Sequence, residues 1–382
     1  MLKPIAISLL LSALFFGSSC AVSAETPSQS DQEVVVLMAP SVNEPYYASV
    51  FDDVIEYDVN FVNAVRAHIP VVLVVDSDTM PYVEGRVPAE NLIVSATPDI
   101  WIRDFSPAMP HSPTQFQFRP NYLSNGDARW IANGFNQLKR TLGVTVPSSD
   151  LVLDGGNVVH NGAGYAIVTD RVLDDNPRWT QAEIEAELIE KLNLTTLAII
   201  PQYPDDTTGH SDGLVMWVDE TTLMINEDGS AYQAALQAQL ETSFPDATII
   251  ALPIDYTPEE FDGFGSACGL HVNSLVTDDL IILPTYGQAN DQVVYNIIAA
   301  NTTKTIVPID ASAVCFMGGS VRCLTWYAKG AQADAILAQV RSTPSAVELG
   351  TVSAEKTPNR LWSLFGMTSM LTLGGVLSQR RG

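Results

Sequence analysis

From about residue 33 to residue 342, short unbroken apolar runs alternate with helical patterns. Val34-Val35-Val36-Leu37-Met38 is too short for a stable helix and has no polar face, so it reads as a buried strand. Residues 51–67 read as a helix, and Pro70-Val71-Val72-Leu73-Val74-Val75 as the next strand. The clearest helix is 181–192. Thr180 and Glu183 form a capping box at its start, and Ile184, Leu188 and Leu192 recur every four residues on one face. Strands fit at 196–200, 213–218, 222–226, 247–252, 271–276 and 279–283. No long linker or low-complexity block interrupts this span. The alternation predicts a single α/β domain over 33–342, but it does not give the sheet topology.

A chain of 382 residues with 46% hydrophobic content can bury a large core, which excludes wholesale disorder. The formal net charge of −25 repels nucleic acid and favours cationic small molecules or basic peptides. The plainer reading of that charge is a surface kept soluble.

Both ends read as processing or anchoring segments. Residues 1–24 have the layout of an export signal: Lys3, an apolar run from Ile5 to Phe16, then Val22 and Ala24 before a cut at Glu25. The competing reading, lipid attachment at Cys20, has Gly17 where a larger aliphatic residue is usual. The protein is therefore expected outside the cytoplasm: in the periplasm, at the cell surface or in the medium. Residues 343–360, rich in Ser, Thr and Pro, read as a linker. Residues 361–382 read as a hydrophobic tail with a basic end, Gln379-Arg380-Arg381-Gly382, of the kind that anchors a chain to a membrane or is trimmed during sorting. The alternative is a terminal helix packed on the domain.

Four clusters carry chemistry. With Cys20 in the signal, Cys268, Cys315 and Cys323 remain, an odd count that suggests one pair and one free thiol in an exported protein. Count alone does not say which is free. Cys323 stands out because Gly318-Gly319 precedes it and a short strand is expected around it. His210 and Asp212 lie in a polar loop, Asp205 to Gly213; if the following strand extends backwards, they share one face and make a general acid–base beside an anion. His271, near Asn273, is a weaker candidate. Trp101-Ile102-Arg103-Asp104-Phe105-Ser106-Pro107 and Asp154-Gly155-Gly156-Asn157 complete the set. The second echoes Met317-Gly318-Gly319-Ser320: paired glycines ahead of a strand-like run. Dispersed histidines and cysteines without paired spacing argue against a metal site.

In this order the clusters resemble the agmatine deiminase and bacterial peptidylarginine deiminase family of guanidino-group-modifying enzymes. That family's pattern runs Trp-x-Arg-Asp-x-x-Pro, Glu/Asp-Gly-Gly-Asn, Gly-His-x-Asp and Gly-Gly-x-x-x-Cys, matched here by 101–107, 154–157, 209–212 and 318–323. The stretches 176–210 and Val272-Asn273-Ser274-Leu275 also look like the family, so the resemblance covers roughly 35–330.

The resemblance implies a five-bladed α/β propeller with pseudo-fivefold symmetry and an axial site. It implies Cys323 as nucleophile, His210 as acid–base, and Asp104 and Asp212 as a clamp on a planar guanidinium. Asp154, Asn273, Trp101 and Arg103 are then expected to contact or orient the substrate. No metal or organic cofactor is required. The partner is a small guanidino compound or an arginine-containing peptide, and the product a ureido group plus ammonia. Departures bear on the substrate. Arg322 stands where agmatine deiminases often have histidine, Ser106 where glycine is frequent, and Asp154 where glutamate is usual. With the expected export, they favour peptidyl-arginine over agmatine, whose product would be N-carbamoylputrescine. The remaining readings are a cysteine protease, which leaves the clamp unused, and an inactive binding propeller with Arg322 blocking the pocket.

Overall fold

The computed structural model describes residues 30–342 apart from Asp205. The expected signal at 1–24, Cys20, the linker 343–360 and the tail 361–382 lie outside the described residues.

Five strand–helix–strand units follow one another along the chain. They are Glu33–Met38, Phe51–Val65 and Val71–Val75; Gln115–Gln117, Asn125–Leu142 and Ser148–Val152; Tyr165–Thr169, Gln181–Lys191 and Thr196–Ile200; Thr222–Glu227, Ala231–Ser243 and Thr248–Pro253; and Leu280–Thr285, Asn290–Ala300 and Thr305–Asp310. In every unit the two strands pair in parallel. Parallel neighbours need a long crossover, and the helix supplies it. Short antiparallel strands widen four of the sheets: Val159–His160, Val215–Trp217, Leu275–Val276 and Trp326–Lys329. The last of these pairs back onto the first strand, with Val36 opposite Trp326.

The helix starts follow from local chemistry. Ser124 and Ser230 accept the backbone N–H three residues on, and the capping box at Thr180 forms as expected. Gly143 ends the second unit's helix at φ 68°, a conformation that favours glycine.

Strand alternation then distributes the core. Val35 and Leu37 face a cluster shared with Ile282 and Val307 of the fifth unit. Val34, Val36 and Met38 face Ile131, Phe135 and Leu138 of the second. The other clusters join second to third, third to fourth and fourth to fifth units. Because both strand faces are buried, the runs are continuously apolar rather than alternating. Phe135 and Trp326 meet edge to face at 5.6 Å in the second cluster. Truncating Phe135 to alanine there costs about 3–5 kcal/mol.

Two expected strands are shorter than the apolar pattern suggests. The run 213–218 is a strand only at Val215–Trp217, and 271–276 only at Leu275–Val276. His210 instead caps a 3-10 turn, Ser211–Gly213, and Cys323 lies in a turn that ends before Trp326. A strand spends its backbone groups on neighbours, whereas these turns bend several backbone and side-chain groups toward one point. The first helix also stops at Val65, two residues earlier than expected.

Candidate active site

Each of the five connections between units carries part of one buried cluster. Trp101, Arg103 and Asp104 lie between the first and second units, and Asp154 between second and third. His210 and Asp212 lie between third and fourth, Asn273 between fourth and fifth. Cys323 lies on the return from the fifth unit to the first.

Cys323 is the free cysteine among the described residues; Cys268 and Cys315 form a disulfide. Asn273 holds the thiol: its Nδ2 donates to Sγ at 3.1 Å, and its Oδ1 accepts from the Cys323 and Ser320 backbone N–H groups at 3.4 and 3.2 Å. Asp212 Oδ2 lies 3.9 Å from Sγ. Burial, then the charges of Asp212 and Asp104, push the thiol well above its ordinary range, so it is neutral in the free protein. Gly319 makes this approach possible. A Cβ there would lie 2.5 Å from the Trp101 ring and 2.8 Å from the Cys323 Cβ.

His210 sits between two carboxylates. Its Nε2 is 3.2 Å from Asp154 Oδ2 and its Nδ1 3.8 Å from Asp104 Oδ1. Burial alone would lower its pKa, but Asp104, Asp154 and Asp212 outweigh burial and raise it to about 10. The imidazolium is therefore the resting form at neutral pH. Burial lifts Asp104 to about 7, with His210 opposing the rise and Asp154 and Asp212 adding to it. Gly156 permits this geometry, since a Cβ there would overlap His210 Nδ1 and lie 2.7 Å from Asp104 Oδ1. Its N–H donates to that oxygen at 3.2 Å. The two glycine pairs noted in the sequence thus serve one purpose, close approach to reactive side chains.

Several expectations change in detail. Asp154 is engaged by His210 and by the Tyr122 hydroxyl, which donates to its Oδ2 at 2.6 Å. Its place is that of a partner to the imidazole. Tyr122 was not singled out in the sequence; it lies in a loop with no motif around it, and no signal short of the fold finds it. Arg322 does not cover the thiol. Its guanidinium donates to Asp212 Oδ2 at 3.0 Å and to the Val158 carbonyl at 2.6 Å. Arg103 is buried beneath, with Nε donating to the Arg322 carbonyl at 3.3 Å. Trp101 is partly exposed and packs over Gly319. His271 stands outside the cluster, bonded to Asp291 at 2.9 Å and to the Gly269 carbonyl at 3.1 Å.

The cluster can do specific chemistry. Two carboxylates, Asp104 and Asp212, offer acceptors that a cation could use, Asn273 bonds the thiol, and His210 is protonated at neutral pH. Trp101, Asp104, Tyr122 and Phe264 are its partly exposed members or neighbours and mark the way in. Among the described residues no group of three or more His, Cys, Asp or Glu is arranged to hold a metal ion.

Comparison with known proteins places the chain. The Porphyromonas-type peptidyl-arginine deiminase model matches residues 24–328. A Streptomyces coelicolor protein with a provisional agmatine deiminase name is 23% identical over 265 residues, 62% of this chain and 78% of its own length. The agmatine deiminase of C. jejuni superposes with a TM-score of 0.67 at 20% identity, covering 80% of this chain and 95% of its own. The agmatine deiminase of Enterococcus faecalis superposes with a TM-score of 0.65 at 19% identity, covering 79% and 94%. These structural likenesses speak for the mixed α/β fold. The family match, which spans most of the chain, says more: this chain belongs to the Porphyromonas-type peptidyl-arginine deiminase family, and it is a hydrolase acting on guanidino C–N bonds.

Proposed function

We propose that this chain converts the guanidino group of peptidyl-arginine to a ureido group and ammonia through a covalent intermediate on Cys323. The observation that carries the reading is a thiol 3.9 Å from one carboxylate, with a second carboxylate and an imidazolium beside it, delivered by three different connections. We read the five units as blades of a pseudo-fivefold propeller. The core cluster shared by the fifth and first units supports a closed ring.

A charge count explains how the thiol is activated. With all carboxylates ionised, Asp104, Asp154 and Asp212 balance His210, Arg103 and Arg322. A bound guanidinium adds one positive charge, and loss of the Cys323 proton restores neutrality. The substrate therefore favours the thiolate that attacks it. Asp104 and Asp212 grip the guanidinium edges and present its carbon to Sγ. The C–S bond forms, His210 donates its proton to the departing nitrogen, and ammonia leaves. A thiouronium remains on Cys323. His210, now neutral, accepts a proton as water adds to the same carbon, and the C–S bond breaks to release the ureido product. Asp154, fixed by Tyr122, holds the imidazole throughout; Asn273 positions the sulfur, and Trp101 walls the entrance. Arg103 and Arg322 support the layer from behind.

Agmatine is the second reading, favoured by the names of the relatives and by the acidic and aromatic residues at the entrance. We place the enzyme outside the cytoplasm, as a domain of residues 33–342 carried between a removed signal and a C-terminal anchor; the disulfide supports an oxidising compartment. The test incubates the protein with arginine-containing peptides, agmatine and free arginine and measures ammonia and ureido product, with Cys323→Ser as control. Product from peptides supports the first reading and product from agmatine alone the second. No ureido product from any of them, with Cys323 still alkylatable, refutes both.

A further inference from the structure

Behind the Arg322–Asp212 pair lies a cavity of about 30 Å³ that neither Cys323 nor its four acid–base neighbours line. Its polar wall is Arg103, Arg322, His160, Trp217, Ser274 and Tyr327, the last two with hydroxyls spent on the His271 carbonyl and Glu33, and the rest of the lining is apolar. The wall is rich in donors that lack acceptors. Arg103 uses only Nε within the protein, and among the described residues neither of its terminal nitrogens has an acceptor. The buried Trp217 indole N–H has no acceptor, and His160 Nδ1 has no partner. Arg322 is matched by Asp212, but Arg103 has no carboxylate in direct contact, and no carboxylate lines the cavity.

The local field has the same sign. Burial, then Arg322, lowers Arg103 to about 9; burial, then Arg322, His111 and Arg103, lower His160 to about 3. His160 is therefore neutral and free to turn an N–H inward. An unpaired buried donor is costly, and a desolvated guanidinium more so. A wall of this kind is completed by one negatively charged acceptor. The cavity is small, so a compact ion suits it better than an extended organic one.

We propose that this cavity binds one small monovalent anion of the halide class between Arg103, Arg322, His160 and Trp217. The ion sits across Arg322 from Asp212 and completes the pairing of the cationic layer. The proposal does not depend on the deiminase reading, since an inactive protein would bind the ion equally well.

Bromide is the probe. In crystals grown with bromide in place of chloride, an anomalous peak is expected within contact distance of the Arg103 guanidinium. In solution, Tm in chloride is expected to exceed Tm in gluconate at equal ionic strength, with an increment that saturates as linkage requires. Trp217→Phe keeps an aromatic ring and removes the N–H, so the half-saturating chloride concentration should rise about tenfold. Arg103→Met should abolish the increment; where that variant does not fold, Trp217→Phe and the bromide peak still decide. A water without anomalous signal at this position, or equal Tm in chloride and gluconate, overturns the proposal.

Discussion

The two sides of the Asp212–Arg322 pair differ in sign. On the thiol side, two carboxylates flank one imidazole and a third approaches the thiol; on the far side, two guanidinium groups line a cavity without a carboxylate. The net charge of −25 for the whole sequence hides this arrangement completely. The contrast teaches that the acidic clamp is not held by solvent. Buried carboxylates stay ionised only when buried cations face them, and Arg322 is the contact between the layers.

Breaking that contact should have the largest effect. Arg322→Met leaves Asp212 buried and unpaired, which is expected to cost about 3–5 kcal/mol in denaturant unfolding. Arg322→Lys should restore part of it, because the charge returns without the two-armed geometry. Unchanged stability in Arg322→Met would mean the layers are independent.

The next effect is steric and confined to the thiol side. Gly156→Ala drives a methyl group into His210 and Asp104, so kcat/KM should fall about 100-fold while Tm moves little. A third test is pH. Asp104, lifted to about 7, clamps a cation only when ionised, so kcat/KM should fall up to tenfold per unit as pH drops below about 7. Asp104→Asn should remove that limb along with most activity. The smallest effect is expected at Tyr122→Phe. Losing one hydrogen bond to Asp154 should lower kcat about fivefold and shift the His210 limb near pH 10.

The same contrast separates what the sequence made legible from what it did not. Continuous apolar runs and the Thr180 cap announced the α/β units, because burial on both strand faces and capping are local properties. The ordered motifs pointed to Cys323, His210, Asp104 and Asp212, and the structure gathers all four. Their local geometry was misread. Extending strands to His210 and Cys323 followed the apolar pattern, but Gly209, Gly213 and Gly318-Gly319 favour turns. Arg322 looked like an obstacle beside the nucleophile, since only the fold reveals that its side chain turns toward Asp212 and Val158. Tyr122 and Trp217 were silent for the same reason: each acts through partners far away in sequence. The cysteine count suggested a pair without naming it, and the fold assigns it to Cys268 and Cys315.

The central claim is that Cys323 carries the substrate's carbon during the reaction. Acid quenching of the working enzyme with an arginine-containing peptide or agmatine, followed by mass spectrometry of the Cys323 peptide, tests it directly. The account predicts an adduct equal to the substrate less one ammonia on Cys323, lost on chase with unlabelled buffer. A ureido product released at full rate with Cys323 never modified, or undiminished turnover by Cys323→Ser, would contradict it.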